Sequence, residues 1–209
     1  SSLHPEFCYL PRKFKIAVTG APHDRAAIRI HDIGLRLYRD EAGESGFEVI
    51  VGGGLGRTPF VGPTIREWLP RAELLSYVEA VMRVYNRFGR RDNKFKARIK
   101  ILVHEIGREE FTRLVEEEYA KIDTVSHGVD EAELERIAAY FAPPPYADAA
   151  ADESEYLLAR ATNRAFDDWA RTALAEHKVP GYAIVNISLK PIGGIPGDAS
   201  AEQMEAVAD

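Results

Sequence analysis

Two hydrophobic periods divide the chain. Between Phe14 and Val51 apolar side chains recur in short alternating runs, and between Leu74 and Ile122 they recur at every third or fourth residue. A strand alternates its side chains between two faces, whereas a helix brings positions three and four apart together. The first stretch must therefore pair into a sheet, and the second must lay helices against it. The alternation predicts strands over 14–20, 33–38 and 47–51, the last two joined as a hairpin through the Glu41–Gly46 loop. Asp24 is placed to cap a short helix through about Ile30. Arg57 to Pro70 is rich in Pro and Gly and reads as irregular. Helices follow at about 74–88, 97–106 and 108–122, interrupted at Gly89 and Gly107. The expectation over residues 1–122 is an α+β domain, a sheet with helices on one face.

The pattern changes beyond residue 122. Residues 123–180 read as a helical linker, with a short helix near 130–140, a rigid break at Pro143-Pro144-Pro145 and a helix over 153–177. Tyr182 to Leu189 reads as a strand, and Asp198 or Ser200 can cap a final helix, Ser200 and Gln203 matching a capping box. A strand, a turn and the start of a helix are too little for a domain, so 181–209 reads as an incomplete, truncated unit. The first residues carry neither a basic stretch nor an apolar run, so the start reads as an internal segment. No apolar run reaches the roughly 20 residues of a membrane helix, and no membrane partner is expected. Cys8 is the single cysteine. It allows no intramolecular disulfide, which points to a cytoplasmic setting, and it cannot supply the thiolates of an iron–sulfur cluster.

Charge is split along the chain. Residues 1–121 hold 21 Lys and Arg against 17 Asp and Glu, while residues 122–209 hold 6 against 16, within a net charge of −6. The front part is the candidate for handling anions. The overall acidity argues against a nucleic-acid partner.

Four groups of residues are candidates for chemistry. In Arg12-Lys13-Phe14-Lys15, strand alternation puts Lys13 and Lys15 on one face, roughly 7 Å apart, with Phe14, Ile16 and Val18 turned to the core. Two neighbouring ammonium groups repel unless an anion lies between them. They either frame an oxyanion or a polycarboxylate, or decorate a solvated edge strand. Residues 90–100 hold six bases and one acid. Lys94 and Arg98 share a helical face if that helix starts early, and cations there oppose the helix dipole unless an anion compensates them. The run Gly52-Gly53-Gly54-Leu55-Gly56 lets backbone approach a ligand, or simply forms a tight loop. It has neither dinucleotide-binding spacing nor a phosphate-loop lysine. The six histidines show no zinc-ligand spacing, so no metal site is expected, and no G-x-S-x-G elbow supports acyl transfer. His31-Asp32 stands as a polar pair, structural or close to a site.

These segments, taken in order, resemble one family. Leu10-Pro11-Arg12-Lys13-Phe14-Lys15, His31-Asp32-Ile33-Gly34, Val51-Gly52-Gly53-Gly54-Leu55-Gly56 and Arg90-Arg91-Asp92-Asn93-Lys94 with Ala97-Arg98-Ile99-Lys100 are similar in order and spacing to the nitrite/sulfite reductases, chiefly the sulfite reductase hemoproteins. The likeness is strong over about 10–121. It resumes at 181–209, which resembles the opening of the family's ferredoxin-like half-domain. The resemblance implies a six-electron reduction of sulfite to sulfide, or of nitrite to ammonia, at siroheme coupled to a 4Fe–4S cluster. Ferredoxin or a flavoprotein would donate the electrons. It implies that Lys13 and Lys15 hold the small oxyanion and help deliver protons, and that Arg12, Gly53, Gly54, Arg91, Lys94 and Arg98 join them around the carboxylate-rich cofactor. The cluster cysteines of the family have no counterpart here, so the chain is expected to be inactive and, purified alone, to carry neither cofactor, the missing remainder of the reductase being its partner. The alternatives are a nitrite reductase, or a non-catalytic domain that binds an anion or a tetrapyrrole.

Overall fold

Alternating residues build the hairpin first. β2 (Ile33–Arg39) and β3 (Ser45–Val51) pair antiparallel, with Ile33 opposite Val51 and Leu37 opposite Phe47. The turn between them is fastened by Asp40, whose Oδ1 accepts from the N–H groups of Ala42 and Glu44 at 3.0 and 2.9 Å, the local bonding that makes Asp a turn residue. β1 (Ile16–Thr19) joins β2 in parallel and β4 (Thr64–Pro70) joins β3 antiparallel, giving the sheet order β1-β2-β3-β4. The computed structural model describes residues 4–123, 131–146, 153–190 and 193–208, and the chain divides into two compact units, 1–138 and 139–209.

Helices α1 (Leu74–Phe88), α2 (Ile99–Ile106) and α3 (Arg108–Tyr119) cover one face of the sheet, as the periodicity predicts. Ile33, Leu35, Phe47, Val49, Val51 and Leu69 from the strands are buried against Tyr77, Val81, Val84, Tyr85, Ile99 and Phe111 from the helices. Each large apolar side chain so buried contributes about 1.5–3 kcal/mol relative to exposure. A 3₁₀ turn, Ile28–Ile30, crosses the other face above Gly34. A Cβ at residue 34 would lie 2.3 Å from the Ile28 carbonyl oxygen, so only glycine fits. Asp24 prepares this turn by accepting from Ala26 N and Ile28 N at 3.0 Å each.

Several expectations change. The 57–70 stretch is not wholly irregular: its second half is β4, with Ile65 and Leu69 buried. Its alternation is masked because the register with β3 slips around Val49, so Arg66 lies opposite Val49. There Arg66 pairs with Glu116 of α3 at 3.0 Å. β1 starts two residues later than expected, and only Phe14 packs on the core. Ile16 and Val18 are 44% and 53% exposed, because β1 is the edge strand and the helices cover the sheet from β2 onward. α2 begins at Ile99 rather than 97, so Lys94 lies outside it and shares no helical face with Arg98.

In the 131–208 region, α4 (Glu131–Ala139) lies at the boundary between the units. The helix expected over 153–177 is two, α5 (Ser154–Thr162) and α6 (Arg164–Ala173). Asn163 interrupts it and caps α6, its Oδ1 accepting from Phe166 N at 3.1 Å. The strand expected over 182–189 narrows to β6 (Ala183–Val185), paired with β5 (Leu174–Glu176). The capping box forms at α7 (Ala201–Ala208): Ser200 Oγ accepts from Gln203 N at 3.2 Å, and Gln203 Oε1 accepts from Ser200 N at 3.0 Å. Among the described residues no helix is long and apolar enough to cross a membrane.

Candidate functional site

Two buried polar side chains gather the basic segments. Tyr85, at the inner face of α1, accepts from the Arg12 N–H at 2.9 Å and donates to the Ala97 carbonyl at 2.7 Å. It therefore ties the segment before β1 to the segment before α2. Burial pushes its phenol above the ordinary value, so it stays neutral and able to donate. Asp32, fully buried at the start of β2, accepts from Arg98 Nε at 2.9 Å and from Arg98 Nη2, and its Oδ2 also accepts from the Lys15 N–H at 2.9 Å. A buried carboxylate needs such partners, since an isolated one would carry a desolvation penalty of several kcal/mol.

The glycine run closes the site. Gly52 N donates to the Asp32 carbonyl at 2.9 Å, which brings the loop back to β2. A Cβ at residue 53 would lie 2.2 Å from the Arg29 carbonyl oxygen, so Gly53 serves close packing of the chain on itself. Gly54 exchanges two backbone bonds with Phe60, 3.0 and 2.9 Å, and Lys100 fastens the loop between them by donating to the carbonyls of Leu55 at 2.8 Å and Thr58 at 2.5 Å. Lys100 is only 8% exposed. Burial, and next the nearby Arg98 charge, lower its pKa.

Lys15, Arg98 and Lys100 thus line one cavity of about 290 Å³, together with Ile30, His31, Gly54 and Leu55. Three cationic side chains and a glycine edge around so small a space favour an anionic group. The other predicted residues lie elsewhere. Lys13 is exposed and does not line the cavity. Arg12 Nη1 donates to the Lys94 carbonyl at 2.6 Å, and the Lys94 ammonium lies 5.3 Å from the Phe95 ring centre. Arg91 donates to the carbonyls of Tyr9 and Asn86 at 3.0 and 2.9 Å and lies over the Tyr9 ring. Arg12 and Arg91 therefore fasten loops. Sequence reasoning missed the roles of Asp32, Tyr85 and Lys100. The His31-Asp32 pair carried a trace of the first, and a tyrosine within an apolar helix face was the only sign of the second.

The fold and the cavity together define an α+β domain with a cationic cavity. Residues 1–123 match the model of the nitrite and sulphite reductase 4Fe-4S domain, and the chain belongs to that family. It is 38% identical over 120 residues to a ferredoxin sulfite reductase of Synechococcus elongatus, covering 54% of this chain and 19% of the relative. It is 36% identical over 115 residues to the NADPH sulfite reductase hemoprotein beta-component of Leptospira biflexa, covering 52% and 20%. The solved structure of the Mycobacterium tuberculosis NirA protein superposes with a TM-score of 0.52 at 32% identity, covering 56% of this chain and 21% of that one. The chain thus spans about a fifth of the length of these relatives. Among the described residues no group of His, Cys, Asp and Glu side chains is arranged to hold a metal ion.

Proposed function

We propose that this chain supplies a basic wall of a cytoplasmic sulfite reductase that reduces sulfite to sulfide in six electron steps with siroheme and a 4Fe–4S cluster. The observation that carries the reading is the cavity lined by Lys15, Arg98 and Lys100, inside the segment that matches the family. Residues 1–122 are then the siroheme-type domain, 123–180 a linker and 181–209 the opening of a ferredoxin-like half-domain. The donor set fits the anionic rim of siroheme: ammonium and guanidinium groups meet carboxylates, and the glycine edge lets them approach. It does not fit the cluster, because Cys8 is the one cysteine of the sequence. No step of this chain runs through the cluster, and its ligands belong to the remainder of the reductase.

Siroheme, when bound, supplies the iron at which the oxyanion is reduced. Lys15 meets the anion at the cavity, and Lys13, two residues before it, extends the positive surface. Both draw the oxyanion in, offset its charge and can pass protons to it, which a reduction releasing water requires. Lys15 and Arg98 also meet carboxylates of the cofactor, while Lys100 holds the glycine loop and Gly53 and Gly54 shape its edge. Arg12 and Arg91 hold the neighbouring loops, Arg12 through the Lys94 carbonyl, and the Lys94 ammonium adds positive charge there. Ferredoxin or a flavoprotein provides electrons; the relatives' names give ferredoxin for one and NADPH for the other. Nitrite satisfies the same cations, and nitrite reduction is the second reading.

Absorbance titration with siroheme tests the reading. The chain is expected to be purified without a chromophore and to bind added siroheme saturably, and Lys13→Ala/Lys15→Ala is expected to weaken that binding by about tenfold or more through loss of charged contacts to a polyanion. Binding that the double variant leaves unchanged would contradict it.

A further inference from the structure

The cationic residues of the cavity are not independent of one another. Arg98 follows Lys15 by more than eighty residues in sequence, yet both bond to one carboxylate. Asp32 Oδ1 takes Arg98 Nε at 2.9 Å, while Oδ2 takes both Arg98 Nη2 and the Lys15 N–H, the latter at 2.9 Å. Asp32 has no exposed surface, and the Arg98 side chain keeps 21% of its own. The pair is thus anchored at its inner end and open at its outer end. Two-point pairing fixes the guanidinium plane. It leaves Nη1 outside the pair and Arg98 on the cavity wall. The bond to the Lys15 N–H, with the Ile33 N–H donating to the Lys15 carbonyl at 3.1 Å, fixes the backbone from which the Lys15 side chain departs.

We propose that Asp32 is the positioning residue of the anion cavity: it sets Lys15 and Arg98 at one fixed spacing, so that a small oxyanion meets both without reorganising them. The inference rests on the reading of the cavity as an anion site. It makes a prediction opposite in sign to that of simple charge. A carboxylate beside an anion site opposes the anion, so removing its charge without moving anything should tighten binding. In Asp32→Asn, however, one acceptor becomes an NH₂ donor, and in either orientation it faces an Arg98 N–H: Nε in one, Nη2 together with the Lys15 N–H in the other. Arg98 then loses its two-point pairing in both orientations, and the Lys15 N–H is left with a neutral, weaker acceptor or with none.

The test is titration of the 209-residue chain with sulfite at constant ionic strength. Binding is followed by amide NMR shifts at Lys15, His31 and Gly54, beside circular dichroism and hydrogen exchange at the Lys15 amide. Asp32→Asn is expected to keep the native spectrum, to speed exchange at Lys15, and to bind sulfite about tenfold more weakly although the protein is one charge more positive. Equal or tighter binding by the folded variant overturns the proposal and assigns Asp32 to stability or to plain counter-charge. Should Asp32→Asn not fold, Asp32→Glu decides: it keeps the charge and displaces the carboxylate, so weaker sulfite binding supports positioning and unchanged binding refutes it. Absence of sulfite binding by the unaltered chain would overturn the anion-site reading itself, and this inference with it.

Discussion

At the scale of single residues, what each cation bonds to governs its use. Arg91 and Lys100 lie nine positions apart in the same basic run, yet Arg91 is held by Tyr9 and Asn86 at the surface, whereas Lys100 is buried beneath the glycine loop. Tyr85 shows the same dependence for a neutral group. Its hydroxyl satisfies the Arg12 N–H and the Ala97 carbonyl in the interior, where an unsatisfied partner carries the full desolvation penalty. Tyr85→Phe preserves the ring and removes the bonds. The expected loss is about 1–3 kcal/mol in chemical denaturation, with faster hydrogen exchange at Arg12. A variant as stable as the parent would mean that water replaces the hydroxyl.

At the scale of elements, the sheet face and its edge respond differently to substitution. Gly34→Ala forces a methyl group onto the Ile28 carbonyl, so the 3₁₀ turn must lift from the sheet. The expected loss exceeds about 2 kcal/mol, in line with overpacking of a close contact. Ile16→Thr on the exposed edge strand is expected to change stability by less than about 0.5 kcal/mol. Denaturation curves of both variants check the contrast, and a large loss at Ile16 would show that β1 is covered after all. The elements that were legible in the sequence are those whose pattern is local. The β2–β3 hairpin shows clean alternation, α1 shows helical spacing, and the α7 capping box needs only Ser200 and Gln203. β4 was not legible because its register slip places charged Arg66 against the helices, and because Pro63 and Pro70 bracket it. Exposure of Ile16 and Val18 follows from strand order, which no local pattern carries. The site divides the same way. The Lys15, glycine and Arg98–Lys100 segments stand out by composition, whereas the Asp32–Arg98 pair spans 66 residues and emerges only on folding.

At the scale of the whole molecule, buried phenols set a limit at high pH. Tyr77, Tyr85 and Tyr119 are all shifted upward, first by burial, with Glu116 beside Tyr77 and Glu73 beside Tyr119 adding to it. Tyr119 is pushed from 10.0 up to about 12. A group whose folded value is raised contributes stability that is complete below its unfolded value and lost as pH rises through the folded one. The fold is therefore expected to weaken between pH 10 and about 12. Tyrosinate absorbance and loss of circular dichroism should rise together there. Ionisation of all nine tyrosines near pH 10 with unchanged circular dichroism would contradict this.

The central claim is that the cations lining the cavity, rather than basic residues in general, meet the anion. Siroheme affinity of Lys15→Ala and Arg91→Ala, measured side by side on folded protein, tests it most directly. The account predicts that Lys15→Ala weakens binding by about tenfold and that Arg91→Ala leaves affinity within about twofold while lowering stability. Equal weakening by both would mean that the positive surface acts as a diffuse field, and would contradict the cavity as the site.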